Sequence, residues 1–597
     1  MRRPVTRKLT VLAVSAAVVS VGAAAPPAAG GATVAKSPVA VGYGGAVSSV
    51  DADATAAGIE VLRKGGNAVD AAVATAAALG VTEPYSSGVG GGGYFVYYNA
   101  KSRTVHTIDG RETAPLTADS NLFVENGRPL AFADAVSSGL SVGTPGTPAT
   151  WQTALDRWGS ERLGTVLKPA ERIARDGFVV DDTFRSQTAS NETRFRYFPD
   201  TAKLFLPGGQ LPAVGSTFKN PDLARTYREL GRKGTGAIYK GDLGKDIVST
   251  VNNPPVDPGS GWKARAGKLS AKDLAAYRAK SQAPTETGYR GLKVYSIAPS
   301  SSGGTTVGEA LNILENTDLS KASEVQYLHH FIEASRISFA DRGRWVGDPA
   351  FEDVPTKGLL SQRYADERAK LISDDAVLTS PVAPGDPNNP GSTGTAAPTT
   401  YEGENTTHLT VADKWGNVVS YTLTIEQTGG SGITVPGRGF LLNNELTDFS
   451  FAPANPAVHD PNLPGPGKRP RSSISPTIVL DKADKPVVAV GSPGGATIIT
   501  TVLQVLTEFL DRHLPLVDAI AAPRASQRNA AKTELEPALY NDPVVKGKLE
   551  AIGQSFSLNP EIGAATGVQR LPGGKWLAAA ETVRRGGGSA QVVDPAP

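Results

Sequence analysis

Residues 406–426 constrain this chain more tightly than any other stretch, because they alternate in two runs around Lys414-Trp415-Gly416. A tip at Trp415 pairs Leu409 with Tyr421 and Val411 with Val419 on one face of an antiparallel hairpin. The other face then gathers Thr410 with Ser420, His408 with Thr422, and Thr406 with Thr424. A slip of one residue would mix the two faces, so the register is strongly specified. The pattern also suits a half-exposed hairpin whose threonines merely favour strands.

The context of the hairpin adds chemistry. A core-poor run of Pro, Gly, Asn, Ser and Thr from Val377 ends at Glu404-Asn405, and the strand begins with threonine. Such a segment cannot offset its ordering entropy, so 377–405 is expected to be a mobile tail. A Thr hydroxyl is a weak nucleophile that needs an adjacent base. A cut between Asn405 and Thr406 would free an α-amine, of pKa roughly 8, beside that hydroxyl.

The N-terminus reads as an export signal: Arg2, Arg3, Arg7 and Lys8, an apolar run from Leu9 to Val21, then Ala23-Ala24-Ala25 as a cleavage site. Residues 1–25 contain no acid, so removing them takes the formal charge from +2 to −2. A near-neutral remainder argues against a nucleic-acid or polybasic membrane role; the run from Leu9 is too short and too rich in small residues for a membrane span, and no other uninterrupted apolar stretch of ~20 residues occurs. The protein is thus expected to be secreted, soluble and without a membrane span. The absence of cysteine excludes thiol nucleophiles, thiolate metal sites and disulfides.

Helices are expected at Asp53–Lys64, Ala68–Leu79, Thr150–Trp158, Thr165–Asp176, Asp222–Leu230, Thr306–Leu314 and Glu324–Arg342, with strands at Tyr94–Tyr98 and Lys293–Ile297. At ~150 residues per domain the length allows about four domains, although layered α/β enzymes use such a length as one unit. The run Arg584-Arg585-Gly586-Gly587-Gly588-Ser589 reads as a frayed end. Gly88 to Gly93 satisfies a dinucleotide fingerprint formally, yet a helix precedes it and a strand follows, the reverse of what pyrophosphate binding needs. The six histidines show no metal-ligand spacing, and no P-loop is present.

Ordered motifs across nearly all of the chain beyond the leader resemble the γ-glutamyltranspeptidase (glutathione hydrolase) family of N-terminal-nucleophile hydrolases. They include Gly65-Gly66-Asn67-Ala68-Val69-Asp70, Asp109-Gly110-Arg111-Glu112-Thr113, Ser301-Ser302-Gly303-Gly304, Asn405-Thr406-Thr407-His408, Asn443-Asn444-Glu445, Thr447-Asp448-Phe449-Ser450, Lys468-Arg469-Pro470, Ser472-Ser473 and Gly491-Ser492-Pro493-Gly494-Gly495. The resemblance implies an α/β fold, a four-layer αββα sandwich. It implies self-cleavage into a large subunit, residues 26–405, and a small catalytic subunit, 406–597, associated as a heterodimer.

By the same resemblance, Thr406 attacks the γ-carbonyl of glutathione or another γ-glutamyl amide. The resulting acyl-enzyme passes to water, an amino acid or a peptide, without metal or organic cofactor. Thr424 would hydrogen-bond the nucleophile, and Gly494 and Gly495 would form the oxyanion hole. Arg111 would hold the substrate α-carboxylate as a bidentate fork, helped by Ser472 and Ser473. Glu426, Glu445 and Asp448 would hold the α-ammonium.

The chain departs from several members at Glu426, where they have Asn, and at Glu445, where some have Gln. The added charge would either favour the ammonium or raise a carboxyl pKa by repulsion. The stretch Phe451–Gly467, where the lid should lie, is short and lacks the tyrosine that full lids place over the substrate. Three other readings stand beside this one: a glutaryl-cephalosporin-type acylase, a poly-γ-glutamate depolymerase and a non-catalytic secreted binding protein.

Overall fold

Local capping signals set the first helices. Asp51 accepts from the Ala54 amide to open α1 (Ala52–Arg63), and Asn67 with Asp70 forms a capping box that opens α2 (Ala68–Thr82). The small side chains of α2 are buried all round, and a Cβ on Gly58 of α1 would meet Thr75 Oγ1 at 2.3 Å, so the two helices cross closely. This computed structural model describes residues 36–395, 403, 405–453 and 455–596. The expected signal segment, residues 396–402 and Glu404 lie outside the described residues.

Further helices are α3 (Thr147–Trp158), α4 (Lys168–Asp176), α5 (Pro221–Lys233), α6 (Gly303–Leu314), α7 (Glu324–Trp345) and α8 (Thr497–Leu510). The helix expected over Thr165–Asp176 is broken: a short turn at Leu163–Val166 stops before α4 begins, with Pro169 in its first turn. Proline has no N–H to continue the earlier turn but suits a helix start. Among the described residues no helix is long and apolar enough to cross a membrane.

Thirteen strands form one hydrogen-bonded array. In chain order they are β1 (Val39–Ser49), β2 (Gly92–Asn99), β3 (Thr104–Asp109), β4 (Lys280–Gln282), β5 (Thr285–Tyr289), β6 (Leu292–Ser296), β7 (Thr407–Asp413), β8 (Val418–Thr424), β9 (Thr477–Leu480), β10 (Pro486–Gly491), β11 (Thr566–Arg570), β12 (Trp576–Ala580) and β13 (Ser589–Pro595). The spatial order is β4-β3-β2-β8-β7-β1-β12-β11-β10-β9-β6-β5, and β13 pairs with β1. Neighbouring strands are antiparallel throughout. With its flanking helices the array makes an α/β fold. β7 and β8 also lie against β10 and β11, which are not their hydrogen-bonded neighbours, so the two halves of the array face each other there.

The hairpin register is the one expected: Leu409 pairs with Tyr421, Val411 with Val419, and His408 with Thr422. Both faces of β7 and β8 are buried, which excludes the half-exposed alternative. Leu409, Val411, Val419 and Tyr421 join the core under α1, α2 and α3. A second core gathers Ile478 and Val490 with Leu311, Phe331 and Leu503 of α6, α7 and α8.

The polar face of the hairpin turns toward the other half of the array, where buried polar groups must be satisfied. Thr410 meets Ser48 at 2.6 Å, His408 meets Thr422 at 2.7 Å, and Ser420 donates to the Val490 carbonyl at 3.2 Å.

Two readings of irregular sequence are corrected. The stretch from Val377 is anchored at least as far as Gly385: the amides of Leu378, Val382 and Gly385 donate to Glu333, Asn529 and Asp341, and Val382 enters the core. Its partners are side chains of distant elements, which composition does not reveal. The C-terminal run is likewise not frayed. Arg584 is buried between Glu536 and Glu581, and Ser589–Pro595 is strand β13 on β1. The described residues fall within one compact unit, against the four domains that length would allow.

Candidate active site

β7 begins directly after Thr406, and β8 ends at Thr424, so the hairpin register brings these two threonines together. The Thr406 hydroxyl donates to Thr424 Oγ1 at 3.4 Å. Thr424 Oγ1 donates in turn to the Asn405 carbonyl at 3.0 Å and accepts the Glu426 amide at 2.8 Å. One hydroxyl therefore touches both the Thr406 side chain and the carbonyl of the bond that precedes it.

That peptide bond is held on several sides. Asn405 Oδ1 accepts from Ser86 and from the Thr406 amide, each at 3.1 Å, and its Nδ2 donates to the Tyr85 carbonyl at 3.3 Å. Arg585 Nη1 donates to the Thr406 carbonyl at 2.7 Å.

Arg111 follows the end of β3, its amide donating to Asp109 at 2.8 Å. Its fully buried guanidinium donates to the carbonyls of Pro470 and Arg471 and forms close ion pairs with Glu445 and Asp448. Glu445–Asp448 is one 3₁₀ turn, whose three-residue period sets those two carboxylates on the same side. The groups expected to bind opposite ends of a glutamyl zwitterion thus neutralise each other.

Glu426 sits at φ +79°, rare for a residue with a side chain, with its carboxylate against the Asn444 amide. Burial first, then the charges of Asp448 and Glu445, push its pKa well above the usual carboxylate range. Burial likewise raises Glu445 to about 7, against the pull of Arg111. The extra acid at 426 therefore takes the second of the two courses open to it: like-charge repulsion in a dry site favours its protonated form.

Thr406, Thr424, Arg111, Glu426, Glu445, Asp448, Ser472, Ser473 and Gly495 all line one cavity of about 20 Å³, the room of a single water. Gly403 completes its wall, and a Cβ there would stand 2.0 Å from Glu426 Oε1. Ser472 Oγ accepts the Ile474 amide at 3.2 Å, and Ser473 Oγ accepts from Arg342 at 2.9 Å. Gly494 and Gly495 have φ of +132° and +56°, a backbone turn that leads into α8. Gly494 lines the neighbouring cavity, which also borders Asn405.

Sequence reading missed Gly403, Ser86, Arg342 and Arg585, and also Asn462. Asn462 donates to the Asp448 carbonyl at 2.6 Å and accepts the Arg471 amide at 2.8 Å, which pins the short lid stretch to the ion-paired cluster. Phe451 of that stretch stacks on Phe123 at 4.3 Å. No local pattern signals these contacts.

Comparison with known proteins gives consistent results. The chain is 38% identical over 491 residues to the glutathione hydrolase proenzyme of Bacillus subtilis strain 168, covering 81% of this chain and 80% of that protein. It is 32% identical to the acylase ACY 1 proenzyme of Pseudomonas sp. strain SE83, covering 77% and 78%. Among solved structures, a cephalosporin acylase from Bacillus halodurans superposes with a TM-score of 0.80 at 27% identity, covering 93% of this chain and 97% of that one. The family model for gamma-glutamyltranspeptidase matches residues 54–592, and on this span and these identities the chain belongs to the gamma-glutamyltranspeptidase family.

Proposed function

We propose that this chain is the precursor of an exported γ-glutamyl hydrolase and transpeptidase that cuts itself between Asn405 and Thr406 and then uses Thr406 as nucleophile. One observation carries the reading: Thr424 Oγ1 bridges the Thr406 hydroxyl and the Asn405 carbonyl. Donation to that carbonyl makes its carbon more electrophilic, and acceptance from Thr406 draws on the attacking O–H.

Attack of Thr406 Oγ on the Asn405 carbonyl carbon breaks the C–N bond, and the nitrogen becomes the Thr406 α-amine. Water then hydrolyses the ester, leaving Asn405 with a carboxylate and Thr406 with a free hydroxyl beside a free amine. The new amine takes the hydroxyl proton in the next attack, on a glutamyl γ-carbonyl. The N–H groups of Gly494 and Gly495 donate to no described residue, and the turn that carries them suits the oxyanion of that step.

Residue Gly403 stands in the wall of the Arg111 cavity, which at about 20 Å³ excludes a glutamyl group. Cleavage, by freeing the segment that ends at Asn405, opens the cavity. The glutamyl α-carboxylate then displaces Glu445 and Asp448 from Arg111, and its α-ammonium takes their charge. The four-layer arrangement and the heterodimer of residues 26–405 and 406–597 follow from the same reading, as does removal of residues 1–25 during secretion.

Named relatives include acylases as well as glutathione hydrolases. The pairing of Arg111 with two acids favours the glutamyl reading, because a glutaryl chain has no ammonium to replace the guanidinium against those carboxylates. Intact mass and N-terminal sequencing, followed by assay with γ-glutamyl and glutaryl anilides with and without glycylglycine, test the proposal. A new N-terminus at Thr406, with preferential release from the glutamyl anilide and acceleration by the dipeptide, is expected. An uncut chain, or a preference for the glutaryl anilide, would overturn it.

A further inference from the structure

Ser472 and Ser473 line the closed cavity beside Arg111, and an N–H donor approaches the hydroxyl oxygen of each from behind. Ser472 Oγ accepts the Ile474 amide at 3.2 Å, and Ser473 Oγ accepts from Arg342 Nη2 at 2.9 Å. A guanidinium only donates, whereas a hydroxyl has one hydrogen to give and two lone pairs. The contact with Arg342 therefore turns the Ser473 hydrogen away from the guanidinium and sets that hydroxyl as a donor. Acceptance from a cation also polarises the O–H and strengthens its own donation.

Arg342 owes its place to several elements at once. It lies in the last turn of α7, where a cation suits the helix dipole, and it is buried. Its Nε donates at 2.7 Å to the hydroxyl of Ser302, the residue that precedes α6. The Ser302 hydroxyl and amide both donate to the Ser472 carbonyl, at 2.6 and 2.8 Å. Glycine at 303 permits this approach, since a Cβ there would stand 2.2 Å from the Ile474 carbonyl oxygen. One planar fork thus spans Ser302 and Ser473, which lie on opposite sides of the proposed cut. A lysine, with a single compact head, has no such fork.

We propose that Arg342 is a positioning residue for the substrate α-carboxylate: it holds the Ser473 hydroxyl as a donor beside Arg111 and so raises selectivity for donors that carry that carboxylate. This rests on the γ-glutamyl reading above. Arg111 is already ion-paired with Glu445 and Asp448, so a carboxylate must displace those acids to reach it. Hydroxyls fixed as donors favour the exchange, and they do so only for a group that accepts hydrogen bonds at that place.

The test compares two substrates of the mature protein, a γ-glutamyl anilide and 4-aminobutyryl anilide, which keeps the amine but lacks the α-carboxylate. Enzyme is used in sufficient amount to turn over the poorer substrate, and the ratio of the two kcat/KM values reads selectivity for the carboxylate. Arg342→Met should lower that ratio about tenfold, chiefly through a higher KM for the glutamyl anilide, with kcat/KM for 4-aminobutyryl anilide near its parental value. Arg342→Lys, which keeps the charge but not the fork, should lower it less. In a Ser473→Ala background the further change Arg342→Met should have little effect on the ratio, because the two residues act as one unit.

Equal losses on both substrates would mark an arginine that only supports the fold, and an unchanged ratio would remove it from recognition. Either result overturns the role while leaving the hydrolase standing, as does a full effect of Arg342→Met in the Ser473→Ala background. Should Arg342→Met fail to mature, Arg342→Lys decides alone, and a parental ratio in that variant sinks the idea. A parent that neither frees Thr406 nor releases the γ-glutamyl anilide removes the proposed function, and this role with it.

Discussion

At the scale of single residues, the candidate site is a set of buried charges that balance one another. Arg111 shows the consequence. A clamp that touched only substrate could be cut back to alanine with folding and self-cleavage intact, but here its removal strands Glu445 and Asp448 in a dry interior. Loss of one member of a buried ion pair costs about 3–5 kcal/mol, so Arg111→Ala should lower the thermal midpoint as well as abolish turnover. An unchanged midpoint would contradict the ion-paired cluster.

Asp448→Asn is the milder probe of recognition. Removing one charge-assisted contact, of about 1.5–3 kcal/mol, should cut discrimination between glutamyl and glutaryl anilides by roughly ten- to hundredfold. Equal discrimination in the variant would exclude Asp448 as the ammonium partner.

His408 offers a different test at this scale. Burial between the strands lowers its pKa from 6.5 to about 3, so it is neutral in the folded chain. The unfolded chain takes up a proton there as pH falls below about 6.5, and the folded chain does so only near 3. Stability is therefore lost across that window as pH falls, by at most about 1.4 kcal/mol per pH unit for one proton. The pH dependence of the unfolding midpoint between 6 and 4 should be shallower in His408→Gln than in the parent, and identical slopes would argue against a buried neutral imidazole.

At the scale of elements, the hairpin does most of the positioning. Its apolar face was readable as alternation, and its polar face joins the other half of the array through hydroxyls and His408. That contact leaves little slack at Gly491, the last residue of β10: an added Cβ would stand 2.3 Å from the His408 ring. Gly491→Ala should push β10 away from β7, at a cost of about 1–3 kcal/mol for overpacking. Self-cleavage should slow with it, because Thr406 and Thr424 lie at the same end of the hairpin. A gel time course of the uncut chain measures this, and a parental rate would show that the hairpin holds its geometry without that contact.

At the scale of the molecule, the C-terminal run closes the arrangement. β13 pairs with β1, β1 pairs with β7, and Arg585 reaches the Thr406 carbonyl across 179 positions of sequence. Ending the chain at Gly588 removes a strand from the β1 edge while leaving every candidate site residue in place. Such a chain should accumulate uncut, with Thr406 unchanged; two fragments in normal yield would show that β13 is dispensable.

The sequence by itself determined the hairpin, its register, the presence of the first two helices, and the family motifs, because each depends on residues close along the chain or on an ordered string of them. Caps and strand alternation act over a few residues, so they are legible in one dimension. Only the tertiary structure decided that Arg111 meets Glu445 across 334 positions, that the run after Val377 is anchored by distant side chains, and that Arg585 stands beside Thr406. Those contacts join groups whose composition reads as loop or frayed end, and burial changes their chemistry. A charge that water would solvate must find a partner once the fold removes the water, and nothing local in the chain says which partner that is.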